Sequence, residues 1–166
     1  MPGSPGGGRY GRSMRFAGSG RFVFIAQWVF TVLLPIFFFI GRDWVGADVG
    51  WLGIIGIVYG AFTILILLVP PLLTLFDPEA RKKRATRVGY DVATILLWVT
   101  ILVGALTVPD SGDSGHLDSA LTSWTAISYE TSAAIFYTTS VVLGIAYLAA
   151  FVLAIVGIVR GRRVAS

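Results

Sequence analysis

The sequence predicts an all-α integral membrane protein, a bundle of four transmembrane helices with both termini cytoplasmic. Three observations carry that prediction. The 166 residues are 55% hydrophobic and only 13% charged, with a mean hydropathy of +0.80, far from the balance of a soluble domain. Four apolar runs each reach the roughly 20 residues that a helix needs to cross a hydrocarbon layer about 30 Å thick. Twelve of the thirteen Lys and Arg residues fall on one side of the topology those runs define, and such residues gather in cytoplasmic loops. The runs lack the alternation of a barrel, and an open sheet edge cannot be left unsatisfied in lipid. A chain about one average domain long, spent on apolar runs, predicts a single membrane domain.

Taken in order, residues 1–21, "MPGSPGGGRYGRSMRFAGSGR", combine Gly, Ser and Arg with no apolar period and predict a flexible basic tail. The apolar run behind it is too long for a signal-peptide core, and no A-x-A-like cleavage site follows, so it is expected to stay as the first span. The spans are predicted at about residues 22–40, 51–76, 90–109 and 132–159, with a basic C-terminal tail at 160–166. Arg9, Arg12, Arg15 and Arg21 precede the first span, Arg81, Lys82, Lys83, Arg84 and Arg87 lie between the second and third, and Arg160, Arg162 and Arg163 follow the fourth. Arg42 stands alone on the other side. The prevalence of Arg over Lys, with abundant Gly, Ala and Val, points to a GC-rich bacterial source, hence a bacterial cytoplasmic membrane.

Two connections carry local signals. In the central loop, Asp77, Pro78 and Glu79 read as an N-cap, a proline at the first helical position and an acid suited to the positive end of the helix dipole. Residues 78–88 then form either the first turns of the third helix or an irregular loop. The cluster Arg81, Lys82, Lys83, Arg84 and Arg87 is explained by topology alone, as a cytoplasmic anchor that also attracts anionic lipid; no role with nucleic acid is needed. In the loop before the fourth span, Leu117, Ala120, Leu121, Trp124 and Ile127 recur at helical spacing and suggest a short amphipathic helix on the outer face, against the alternative of an irregular loop.

Polar residues within spans tend to face the bundle interior, because exposing them to lipid is costly. Gln27 and Thr31, Tyr59 and Thr63, and Thr94 and Trp98 are spaced by four, and Tyr137 to Ser140 form a cluster on the fourth span. They either line a polar seam or serve as interhelical hydrogen-bond glue. No ionisable residue sits in the middle of any span, which argues against an ion-driven transporter or pump. Asp91 lies at one end of the third span, and Glu130, at the edge of the fourth, is expected either to meet solvent or to pair with Arg42. His116 lies in a loop, where it provides neither an axial haem ligand nor a zinc set. The chain has no cysteine, which removes disulfides, thiolate metal sites and cysteine nucleophiles. No H-E-x-x-H or G-x-S-x-G is present. No cofactor or metal is expected, and no catalytic residue.

Small residues mark packing faces by letting helix backbones approach. Gly53, Gly56 and Gly60 do so on the second span, and Ala146, Ala150 and Ala154, with Gly157, on the fourth. The partner of each face is either another helix of this chain or a second protein. Pro70 and Pro71 release the carbonyls of Ile66 and Leu67, and Pro35 that of Thr31, so the second span bends near its cytoplasmic end as a hinge or as a static kink. Together these features lead to the expectation of a non-enzymatic accessory or scaffold subunit that meets a partner protein or itself through small-residue faces. The alternative is a homo-oligomeric pore, a holin-like protein or a small-solute transporter.

Overall fold

The computed structural model describes residues 20–48, 50–113 and 115–165. The predicted tail, with Arg9, Arg12 and Arg15, lies outside the described residues up to position 19. Four helices are long and apolar enough to cross a membrane: α1 (Gly20–Phe39), α2 (Trp51–Thr74), α4 (Val88–Thr107) and α6 (Tyr129–Ala165). Between them lie a 3-10 turn (Gly41–Val45), a short helix α3 (Pro78–Lys83), an antiparallel hairpin of β1 (Asp110–Gly112) and β2 (Gly115–Leu117), and a second short helix α5 (Ala120–Trp124). The architecture is that of a small multi-pass membrane protein.

Each boundary has a local cause. The 3-10 turn after α1 ends on Gly46 at φ +88°, where its amide reaches back to the carbonyls of Arg42 and Asp43; a residue without Cβ adopts that angle without strain. Asp77 caps α3 by accepting from the Glu79 and Ala80 amides at 3.0 and 3.4 Å, with Pro78 at the first helical position. Neither alternative for residues 78–88 is therefore right. The helix starts as the cap signals say, then stops at Arg84, which takes the left-handed conformation at φ 47°, and a new helix begins at Val88. α4 ends at Thr107 because Val108 precedes Pro109 and is extended. α6 begins three residues before the expected 132 and continues to Ala165, so residues 160–165 prolong the helix. At about 1.5 Å per residue, the 37 residues of α6 exceed what one crossing requires.

The long helices form a ring in the order α1, α2, α6, α4, with the most extensive packing between α4 and α6. One core cluster joins Val23, Tyr90, Ala93, Ala150 and Ala154. A second, nearer the hairpin end, joins Leu34, Leu67, Leu97, Ile101 and Ala146. α4 is the most enclosed of the four and α2 the most exposed, as expected of helices whose outer faces are solvated by lipid. α3 lies against α6.

Candidate functional site

Three polar knots hold the bundle, and they include few of the polar residues that spacing singled out. At the hairpin end, Arg42 is wholly buried and its Nη2 pairs with Asp110 Oδ2. Asp110 also accepts from the Gly50 amide at 2.9 Å and the Leu52 amide at 3.1 Å. One carboxylate thus caps α2, whose own N-cap, Gly50, has no side chain to offer, and neutralises the lone arginine of this end. Nε and Nη1 of Arg42 have no protein partner, and burial pulls the guanidinium below its ordinary pKa. Of the two alternatives for Glu130, the structure shows the exposed one, at the first turn of α6, and the hairpin instead carries Asp110 to Arg42. Beside this latch, Ser132 donates to the Thr107 carbonyl at 3.1 Å and shares a 2.9 Å hydrogen bond with Ser119, the cap of α5. His116 lies in the hairpin, its ring 4.5 Å from that of Tyr129.

The second knot lies within the helices. Gln27, fully buried, accepts from the Tyr90 hydroxyl at 2.8 Å and donates to Thr74 Oγ1 at 3.3 Å, joining α1, α4 and α2. Thr74 in turn donates to the Pro71 carbonyl at 2.7 Å. Next to it a cavity of about 10 Å³, close to the space one water molecule occupies, is lined by Gln27, Thr31, Tyr90, Thr94 and Trp98. Thr94 Oγ1 is buried there without a protein partner. Gln27, Thr31 and Thr94 are buried. Tyr90 and Thr74 are the members that spacing missed, although Tyr90 stands four residues before Thr94.

At the opposite end from the hairpin, Arg87 Nε lies 3.1 Å from Asp77 Oδ2 and its Nη2 3.0 Å from Glu79 Oε2. Thr86 donates to the Gly20 carbonyl at 3.1 Å and to Asp91 Oδ1. Arg87, grouped by sequence with the surface anchor, is thus a buried structural cation, because the turn after α3 folds it back onto the acids that start α3. Arg81, Lys82, Lys83 and Arg84 are exposed, as are Arg160, Arg162 and Arg163 on the adjoining end of α6.

Other candidates move outward. Tyr59 is 59% exposed and Tyr137 63%, so neither is part of a polar interior. Thr63 is half-buried and donates to the Tyr59 carbonyl at 2.8 Å within its own helix. An i, i+4 pair shares a face, but on a helix apolar all round the pair does not say which face is inside.

Both small-residue stripes are used within the chain. A Cβ on Gly56 would meet Phe39 Cβ at 2.5 Å, and one on Gly60 would meet Phe39 Cδ2 at 3.3 Å; Gly53 is only half-buried. Ala146, Ala150 and Ala154 lie in the core, and a Cβ on Gly157 would lie 2.9 Å from Asp77 Oδ2. Two larger spaces remain. A groove of about 250 Å³ runs between α1 and α2 beside Gly56 and Gly60. A cavity of about 260 Å³ lies among all four long helices in the hairpin half of the bundle. The carbonyl of Ile66, released by Pro70, accepts from the Tyr147 hydroxyl of α6 at 3.0 Å. Among the described residues, no group of three or more His, Asp or Glu side chains gathers as a metal site. In comparisons with family models, with curated proteins and with solved structures, the chain matches none.

Proposed function

We propose that this chain is a non-enzymatic accessory or scaffold subunit that packs against a partner membrane protein in a bacterial cytoplasmic membrane, with both termini and the α3 turn cytoplasmic. The observation that carries the reading is the groove between α1 and α2. It is lined by Ile36, Phe39, Ile40, Ile57, Ala61 and Ile64, with Gly56 and Gly60 beneath Phe39, an apolar recess against which the side chains of another helix can pack. Sidedness rests on the count of basic residues. α3 packs on α6, so Arg81, Lys82, Lys83 and Arg84 share one end with Arg160, Arg162 and Arg163. That end suits an anionic lipid surface, at about 1 kcal/mol per basic residue near it.

The test is a photoreactive amino acid placed at Ala61, with Val99 on the outward side of α4 as control, irradiated in native membranes. An adduct to a second protein at Ala61 and not at Val99 is expected. An adduct with the mass of two copies would assign the groove to self-association, and no site-dependent adduct would contradict the reading.

The second reading, a pore, holin-like protein or small-solute transporter, is favoured by the cavity among the four helices. The cluster of Leu34, Leu67, Leu97, Ile101 and Ala146 lies between that cavity and the other end of the bundle and weighs against a path along its axis. Ion conductance or dye release from liposomes holding the purified chain would favour this second reading.

A further inference from the structure

We propose that the cavity among the four long helices is a binding site for a hydrocarbon chain of a bilayer lipid, which enters between α2 and α6. The walls are apolar: Phe38 and Phe39 from α1, Leu67 from α2, Ile101 and Gly104 from α4, and Phe136 from α6. At about 260 Å³ the space exceeds the roughly 150 Å³ that accommodates a benzene ring in an apolar protein interior.

Of the four hydroxyls in the lining, those of Thr63, Thr100, Thr139 and Ser140, three are engaged within their own helices, which leaves Thr139 as the single polar group open to a guest. Thr63 donates to the Tyr59 carbonyl at 2.8 Å, Thr100 to the Leu97 carbonyl at 2.9 Å, and Ser140 to the Phe136 carbonyl at 2.9 Å. Their protons are spent within their own helices, and they turn methyl, methylene and lone-pair surface to the cavity. No charged side chain lines it, so nothing there would hold an ion or a headgroup.

The position of the mouth identifies the source of the guest. Thr100, Ile101 and Gly104 on α4 are buried, whereas Thr63 and Thr139 are half-buried and Ser140 is exposed, so the wall is incomplete between α2 and α6. The Tyr147 to Ile66 hydrogen bond joins the two helices one to two turns further on and sets the lower edge of the opening. The residues around the opening are lipid-facing: Phe62 is 60% exposed and Val141 65%. A space of this size, lined by carbon and continuous with bilayer hydrocarbon, regains its lost dispersion contacts when a chain from that hydrocarbon fills it.

The experiment uses the full chain in liposomes of a phospholipid with a diazirine at the end of one acyl chain, followed by photolysis and peptide mapping. Adducts are expected on Phe38, Phe136 and Leu143 inside the cavity, as well as on outward residues such as Leu65 and Val152. Gly104→Phe should abolish the inner adducts and leave the outer ones, because even a Cβ at Gly104 lies 3.4 Å from Phe38 Cε2. Should that variant fail to fold, Ser140→Trp closes the mouth from its exposed rim without adding volume to the core, and the same selective loss is expected. Adducts confined to outer faces in the native chain would overturn the proposal, and so would inner adducts that survive in a folded plugged variant.

Discussion

Arg42 and Asp110 are 68 residues apart in the chain, and their pair sets the energetics of the hairpin end. A buried pair contributes little net stability over an apolar substitute, but removing one partner leaves an uncompensated charge and costs about 3–5 kcal/mol. Asp110→Ala should therefore destabilise strongly, and the double variant Arg42→Met with Asp110→Ala should recover most of the loss. The part not recovered is the cap on Gly50 and Leu52, at about 1 kcal/mol. Equilibrium unfolding in mixed detergent checks this, and equal losses in the single and double variants would contradict it. Arg87 is predicted to behave like Arg42: Arg87→Gln should destabilise, whereas Arg81→Gln, at an exposed position, should stay within about 0.5 kcal/mol of the parent. The sequence separated the lone Arg42 from the other cations but did not disclose its partner, since Glu130 was an equally available acid. It placed Arg87 with the surface cluster because a count of charges carries no information about the turn that returns it to Asp77.

At the scale of elements, the proline pair inside α2 is the clearest case of a local rule completed by a tertiary contact. Pro70 deprives the Ile66 carbonyl of its donor, and Tyr147 supplies another from α6. Interhelical hydrogen bonds of this kind average about 0.6 kcal/mol, so Tyr147→Phe should cost about that much. In a Pro70→Ala background, where the helix itself can satisfy Ile66, the same change should cost less, and a double-mutant cycle in unfolding free energy measures the difference. A cycle with no coupling would show that the Tyr147 hydroxyl does not compensate for the donor that Pro70 removes. Span existence was legible because lipid demands about 20 apolar residues per crossing, and cap signals located α3. Facing was not legible: Tyr59 and Tyr137 sit on helices apolar on every side, where periodicity gives no inward direction. The hairpin was not foreseen either, since three-residue strands leave almost no pattern to read.

For the whole molecule, the small-residue stripes carry the argument from sequence to architecture. They were read as packing faces, and the sequence left open whether their partner lay inside or outside the chain. The structure places the α2 stripe against Phe39 of α1 and the α6 stripe against α4 and Asp77, so the bundle closes on itself and offers a partner only what remains outside. Orientation belongs to this scale too. Neutralising Arg81, Lys82, Lys83 and Arg84 while keeping Arg87 should raise the fraction of inverted molecules in a reporter-fusion assay without unfolding the bundle, and unchanged topology would contradict the positive-inside assignment. The central claim, that the α6 stripe packs inside its own chain, has a direct measurement because the sequence contains no cysteine. Cysteines placed together at Ala93 and Ala150, and oxidised in native membranes, should form a disulfide within one chain, with no covalent dimer. Disulfide-linked dimers from the Ala150→Cys single variant, with no intrachain bond in the double, would contradict it.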